Sequence, residues 1–405
     1  MRRVRSSPTV APIGTSPSPH FDLAILGASA RAAAQSAIRA GLLPWCADLF
    51  TDRDLCAAAS VARCERHGYP HGLLDLMERA DLPRETPVLF TGALENYPQL
   101  IEAIAARRPL AASPARAIEA VRDPAWPRNV PPHSGLSFPA VHECRAASLE
   151  AATGVGDRRY LLKPRRGAGG RGVHLWRPPE RVDSAHYLQQ QVPGTPVCAV
   201  YGSDRTSMRL LGVTEQIIGD PAFGAAGYQY CGSIGPMQLS AIQTEALTHL
   251  GCALTERLGL SGVFGVDAVI DAAGTTWPVE VNPRYTASIE VLERAGVEPV
   301  LQGVAERVDR DASNPGAILK ADPPNPIDRT AAIDAKAIVF ARRGVFSPDL
   351  YERFDTAQIA DVPWPGTTIE AGWPVCTFLA SGADRDTCHQ AMRQMASRLY
   401  DWLEP

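Results

Sequence analysis

The sequence contains no CxxC pair, no zinc-ligand spacing and no apolar run approaching the roughly 18 residues of a membrane-spanning helix. Its nine cysteines, an odd number, are scattered from Cys46 to Cys388, which favours reduced, buried thiols and a cytoplasmic location over a disulfide framework. Cys64, His67 and His71 lie close together, but Gly68 and Pro70 disrupt a helical i, i+4 pair, so a metal there is disfavoured. Positive charge is not in excess either. A net charge of −4 and a pI near 6.2 provide no global basic field, so nucleic acid is not an expected partner, and neither is a membrane. Residues 1–20 have no acidic residue and no apolar stretch of the kind a secretory signal needs; a disordered tail is expected.

What is present suffices for a large core: 405 residues, 45% of them hydrophobic, imply two or three domains. From Asp22 the run Leu-Ala-Ile-Leu-Gly-Ala-Ser-Ala-Arg31, an alanine-rich stretch and Gly41 read as buried strand, tight turn, helix and stop. The turn is not GxGxxG, since only Gly27 is in place, although Asp48 lies where a ribose-binding acid would. A turn shaping a substrate pocket is therefore favoured over dinucleotide binding. A second strand, Pro87 to Gly92, and a helix, Gln99 to Arg107, complete the pattern of a doubly wound parallel-sheet domain over residues 21–121. Ligands of such a sheet lie beyond its strand ends, where Ser29, Arg31, Glu95 and Asn96 fall; the alternative for Glu95 and Asn96 is helix capping.

Prolines crowd residues 122–139, which marks a linker loop. After it, Arg159 to Trp176 reads as strand, glycine loop and strand, the second strand being Val173–Trp176. Lys163 at the end of the first strand and the mobile N–H groups of Gly167, Gly169, Gly170 and Gly172 are what a polyphosphate needs. His186 to Gly194 is a short strand closed by Pro-Gly, whose free backbone could pair with a purine edge. Val197–Tyr201, Met208–Val213 and Glu215–Ile218 read as successive antiparallel strands, and Ser240–Leu258 as an amphipathic helix ended by Gly259.

Val263–Asp271 and Thr276–Pro283 flank Ala-Ala-Gly-Thr and read as a β-hairpin. If that four-residue loop sets the register, Asp271 faces Thr276 and Asp267 faces Glu280, with Asn282 two residues along the same face. Carboxylates roughly 5 Å apart repel unless a cation lies between them. Oxygen ligands without histidine or thiolate favour magnesium or manganese; Arg284, just past the strand, could reach a phosphate or a reacting carboxylate. The bland alternative is a solvated polar edge.

Taken together, Lys163-Pro-x-x-Gly-x-Gly-Gly-x-Gly-Val173, the Gln-Gln-Gln-Val-Pro-Gly hinge, and Asp267, Glu280, Asn282 and Arg284 resemble the ATP-grasp superfamily, nearest to predicted carboligases related to biotin carboxylase. The resemblance spans most of residues 22–310. It implies an ATP-grasp fold over residues 122–310, with a small subdomain at 150–193 and a large one at 194–310, an N-terminal α/β domain, and a small C-terminal α+β module at 327–405. It further implies that Lys163 binds phosphates and that Gly167 to Gly172 close over ATP. Gln190, Gln191 and Val192 would lie along the adenine, Asp267, Glu280 and Asn282 would hold magnesium (or manganese), and Arg284 would meet the transferred group. The hinge has glutamines where the family often has glutamate, and Pro196 stands where an acid commonly contacts ribose. The implied activity is an ADP-forming ligase that activates a small carboxylate as an acyl phosphate for attack by an amine, in cofactor biosynthesis involving a one-carbon carrier. The alternatives are a biotin-carboxylase-like carboxylase and a non-catalytic nucleotide-binding protein; a homodimer is one admissible assembly. At the C-terminal end, Ala335–Ala341 and Pro374–Leu379 read as strands and Asp384–Leu403 as a helix, with Cys376 and Trp364 expected to pack.

Overall fold

The computed structural model describes residues 20–143, 158–204, 207–304 and 332–404; the expected disordered tail and the proline-rich run Ala321–Pro326 lie outside them. The first sheet is parallel, with strands β1 (Leu23–Gly27), β2 (Pro44–Asp48), β3 (Ser60–Arg63) and β4 (Val88–Phe90) in the order β3-β2-β1-β4. β1, β2 and β4 are buried throughout, as parallel strands covered on both faces must be. Helices α1 (Arg31–Arg39), α2 (Arg53–Ala58), α3 (His71–Arg79) and α4 (Pro98–Ala105) follow these strands. β2 and β3, short and partly polar at their edge, were not legible in the sequence. Helix α5 (Ala115–Arg122) then leads out of the domain, so Arg122 ends a helix instead of opening the linker.

A small antiparallel sheet follows, with β5 (Val141–His142), β6 (Tyr160–Pro164), β7 (His174–Leu175) and β8 (His186–Gln190) in the order β5-β8-β6-β7. The remaining long strands are β9 (Thr195–Ser203), β10 (Met208–Ile218), β11 (Tyr230–Gly235), β12 (Gly262–Ile270), β13 (Thr276–Asn282) and β14 (Ile333–Phe340). Between β11 and β12 runs α6 (Ala241–Leu258), and after β13 comes α7 (Ala287–Arg294). A ribbon of β15 (Val345–Phe346) and β17 (Thr368–Ile369) brackets β16 (Ile359–Ala360); β18 (Pro374–Gly382) and α8 (Arg385–Leu403) finish the chain. One eight-stranded sheet runs β13-β12-β9-β10-β11-β14-β18-β16, so the C-terminal strands continue the sheet that carries the carboxylates.

Residues 208–218 form a single strand, not the two expected, pairing regularly through Thr214; the irregularity lies earlier, at Leu210–Gly212, where Gly212 packs so closely on Leu292 that a Cβ would crowd it. The strand β11 was missed, being rich in glycine and serine. α6 starts on a capping box formed by Ser240 and Gln243 and ends at Gly259 in the left-handed region, as the sequence implied.

The faces of β9 show how the layers are placed. Val197, Ala199 and Tyr201 point to α6, while Cys198 and Val200 share a core with the parallel-sheet domain. Alternation along one strand thus packs α6 on one face and α7 with the N-terminal domain on the other. A third core under α8 joins β11, β14 and β18. Cys376 is buried in it, whereas Trp364 is half exposed and fixed by its indole N–H to the Thr51 carbonyl. No described helix is long and apolar enough to cross a membrane.

Candidate active site

β6 brings Lys163 to the wall of a cavity of about 620 Å3, and β12 and β13 bring Asp267, Glu280 and Asn282 to the same cavity. The Lys163 ammonium donates to Gln189 Oε1 at 3.1 Å and reaches the Val279 carbonyl at 3.5 Å, while Gln189 Nε2 donates to that same carbonyl at 3.1 Å. The strands β6 and β8 are thereby tied directly to β13. Gln189, one residue before the hinge residues singled out in the sequence, is the one that makes this tie. Burial alone would depress the Lys163 pKa; Tyr187, Glu280 and Asp267 outweigh it, and the pKa is raised.

Asp267 does face Glu280, and Gly265 faces Asn282. The route to that register differs from the expectation, however. At the turn Ile270, not Asp271, faces Thr276, because the loop is closed by Asp271 and Thr275, with Asp271 accepting from the backbone N–H groups of Ala273 and Thr275 and from the Trp277 indole. A register shift between Asp267 and Ala268 restores the pairing by leaving Val279 without an opposite residue. That bulged residue is the one whose carbonyl receives Lys163 and Gln189.

On the carboxylate face Glu280 accepts from Arg122 Nη1 at 3.1 Å, while Asp267 is held by neutral donors. Gln216 Nε2 and Asn282 Nδ2 each lie 3.0 Å from an oxygen of Asp267. Burial, and then the Glu280 charge, push the Asp267 pKa up to about 6. A half-buried carboxylate without an ion-pair partner of its own among the described residues, beside a second carboxylate and with an amide on the same face, suits a hard divalent cation.

Arg284 spans 2.8 Å to Glu95 and 3.2 Å to Asn282 Oδ1; burial would lower its pKa, but Glu95 dominates and raises it. Glu95 Oε2 is buried and unpartnered. Glu95 and Asn96 line a separate cleft, whereas Ser29 and Arg31 do line the central cavity. Asn96 donates to the Gly167 carbonyl and accepts from Arg122.

The glycine loop is seated. Gly170, at φ +73°, passes so close to the Tyr228 carbonyl that a Cβ would sit 1.9 Å from it, and the Tyr230 N–H donates to the Gly169 carbonyl. Gly172 is also left-handed, and Gly167 touches Pro164. Arg171 donates to the Gly372 carbonyl of the C-terminal region, beside Trp373. Gln190, Gln191 and Val192 line the cavity, with the backbone N–H groups of the first two engaged by the Ala140 and Arg159 carbonyls.

Asp48 has a different use from a ribose contact. Its carboxylate accepts from the N–H groups of Ala30, Phe50 and Thr51, filling the N-terminus of α1. Nearby, Arg31 is buried and paired with Glu290 and Asp361, and Lys336 donates to Glu290 at 2.6 Å. Neither Lys336 nor Asp361 stood out in the sequence, since each is a lone charge far from the motifs. Among the described residues no group of three or more His, Cys, Asp and Glu side chains forms a metal cluster, at Cys64–His71 or elsewhere.

Residues 132–288 match the model of a family described as the ATP-grasp domain. That stretch is similar to an ATP-grasp domain. The match covers the glycine loop, Lys163, the hairpin carboxylates and Arg284. No curated protein matches. Among solved structures, an ATP-analogue complex of biotin carboxylase from Campylobacter jejuni aligns over 92% of this chain and 90% of its own, at 14% identity and a TM-score of 0.64. N5-carboxyaminoimidazole ribonucleotide synthetase from Thermus thermophilus aligns over 95% and 99%, at 18% identity and a TM-score of 0.63. The biotin carboxylase domain of the Hydrogenobacter thermophilus 2-oxoglutarate carboxylase, solved as a dimer with MgADP and bicarbonate, aligns over 93% and 90%, at 15% and 0.62. These likenesses extend the ATP-grasp architecture across nearly the whole chain.

Proposed function

We propose that the protein is an ATP- and magnesium-dependent, ADP-forming ligase that activates a small carboxylate as an acyl phosphate for attack by an amine. The observation that carries this reading is the shared Val279 carbonyl: through it the phosphate-loop lysine and the Asp267–Glu280–Asn282 face become adjacent walls of one cavity. Magnesium held by that face would draw charge from the transferring phosphoryl oxygens. Lys163 would neutralise the phosphate chain and Arg284 would orient the carboxylate. The seated glycine loop would keep water from the acyl phosphate, whose hydrolysis competes with ligation. The structures sharing the fold include carboxylases as well as a synthetase, and a carboxylate–amine ligase in one-carbon-carrier biosynthesis is the finer form of the proposal. Homodimerisation and a location in the cytoplasm belong to the same reading.

The test is Glu280→Ala, which should abolish carboxylate-dependent ADP release from ATP while leaving the melting temperature unchanged. Undiminished turnover overturns the proposal. Running the assay with carboxylate and amine pools, with and without bicarbonate, separates the readings. ADP formation that requires bicarbonate supports the carboxylase, and nucleotide binding without turnover under every pool supports a non-catalytic protein.

A further inference from the structure

Between Gly167 and Gly172 the glycine loop has one long side chain, Arg171. Gly169, Gly170 and Gly172 are left-handed, and glycine backbone is costly to order, so a closed loop needs contacts outside itself. Two fall on its backbone, from Asn96 to the Gly167 carbonyl and from the Tyr230 N–H to the Gly169 carbonyl. The third is made by Arg171, whose Nη2 donates to the Gly372 carbonyl at 2.9 Å while its guanidinium carbon lies 5.8 Å from the centre of the Trp373 ring. That carbonyl sits in a pinned turn. The Gly372 N–H donates to the Ala341 carbonyl at 2.7 Å, the Ala341 N–H to the Trp373 carbonyl at 2.9 Å, and the Trp373 N–H to the Glu370 carbonyl at 3.1 Å. From the N-terminal domain, the Arg66 guanidinium lies 3.9 Å from the centre of the same indole and pairs with Glu370 at 3.0 Å, while the Phe50 ring meets it edge-on at 6.1 Å. Three distant parts of the chain thus converge on Trp373, which belongs to no motif.

One hydrogen bond to a carbonyl and one exposed cation–π contact hold a loop weakly enough to be undone by thermal motion. Such a fastening suits a cover that must open in every turnover. Gly169 and Gly170 line the central cavity beside Lys163 and Glu280, whereas Arg171 reaches to the C-terminal turn. The covering backbone and the fastening side chain are therefore separate parts of one loop. Resting on the nucleotide-binding reading above, we infer that Arg171 and Trp373 form the latch that holds the glycine loop shut over the nucleotide. Trp373 is a positioning residue that acts only through Arg171. Arg66 and Phe50 fix the indole from the far side of the chain, so the loop closes onto a surface that the N-terminal domain and the C-terminal region build together.

The experiment takes two readouts on the full chain: titration calorimetry of a non-hydrolysable ATP analogue with Mn2+, and the rate of tryptic cleavage after Arg165 and Arg166 at the root of the loop. Trp373→Ala should weaken the analogue about three- to tenfold, the effect of losing a surface contact of this kind. It should speed cleavage by a similar factor, because cleavage tracks the population of the open loop. Trp373→Phe, which keeps an aromatic face, should fall between, and Trp373→Leu stands in if the alanine variant does not fold. Arg171→Ala should weaken the analogue at least as much as Trp373→Ala, and adding Trp373→Ala to it should cost nothing more. A further loss in that double variant, or a loss in Arg171→Ala that Trp373→Ala does not share, would make Arg171 a direct contact of the nucleotide and overturn the latch. A loop cleaved at the wild-type rate in Trp373→Ala and Trp373→Leu would overturn it as well. A wild type that binds no analogue refutes the functional proposal itself; a wild type that binds it, matched by every variant, refutes only the latch.

Discussion

Two clusters of carboxylates lie along the same cavity, one buried and one half-buried, and they are compensated differently. Around Arg31 the cations are built in. Arg31 pairs with Glu290 and with both oxygens of Asp361, Lys336 adds a second contact to Glu290, and Thr377 donates to Asp361. Burial would raise the Glu290 and Asp361 pKa values, but Arg31, joined by Lys336, dominates and holds both below the usual range. On the β12–β13 hairpin the carboxylates are only half-buried: Asp267 accepts from the Gln216 and Asn282 amides, Glu280 pairs with Arg122, and the Asp267 pKa moves the other way, up to about 6. The first cluster is a pin joining α1, α7, β14 and the chain after β16. In the second, Asp267 has no cation in ion-pair contact among the described residues and faces another carboxylate instead. Carboxylates set against one another, and not each against a cation, are the ones that suit a metal.

The largest effect that tests this contrast is expected at the pin. Arg31→Ala leaves Glu290 and Asp361 with too little positive charge and should remove about 3–5 kcal/mol of stability, read as a large fall in the denaturant midpoint. Glu280→Ala, by comparison, should leave that midpoint unmoved. An Arg31→Ala protein of wild-type stability would erase the distinction. Next in size, Gln216→Ala removes a donor that orients Asp267 and should weaken Mn2+ binding about 10- to 100-fold, measured by calorimetry, with little change in stability.

The pH response of the metal-free protein separates the clusters further. A folded pKa raised above its ordinary value means that Asp267 disfavours the fold above pH 6 and ceases to do so as pH falls toward its ordinary value near 4. For Glu290 and Asp361, whose pKa values are depressed, the stabilisation is complete above the ordinary carboxylate range and is lost as pH falls below it. Asp48 is also raised to about 6, by burial, so the informative quantity is the difference between two proteins. Thermal melts with chelator present should show Asp267→Asn gaining stability over the wild type from about pH 4 to 6 and tracking it below. A constant difference across the window would mean that Asp267 does not titrate there. The smallest effect expected is for Trp277→Phe, which loses the indole contact to Asp271 at the turn and should lower the denaturant midpoint slightly without altering Mn2+ affinity.

Local features of the chain were legible in the sequence where a motif and a period coincide. Lys163 with its glycine loop, the facing of Asp267 and Glu280, the capped helix α6 and the opening strand–turn–helix all follow from spacing alone. The register at the carboxylates was reached through an incorrect turn, and the Val279 bulge cancelled the difference. No local signal announces a bulge: it is fixed by what the extra carbonyl meets, and Lys163 and Gln189 come from another sheet. Arg122 was hidden for the same reason, since its partners lie at 96, 165 and 280. Lys336 and Asp361 are ordinary strand and turn residues until Arg31, some 300 positions earlier, is packed against them.

The bulge also bears on how copies of the chain can meet. β13 is a terminal strand of the eight-stranded sheet, and such an edge is a template for adding a strand from a neighbour. Here its first residue is already paired, Thr276 exchanging hydrogen bonds with Gly135 and Ser137. Pro278 has no N–H to offer, and the Val279 carbonyl is occupied. At the opposite margin β16 has only two residues, Ile359–Ala360. Among the described residues, the β13 border therefore offers a neighbouring strand few open backbone groups in its first half. The kink that aims a carbonyl at Lys163 thus also blunts that edge against strand addition.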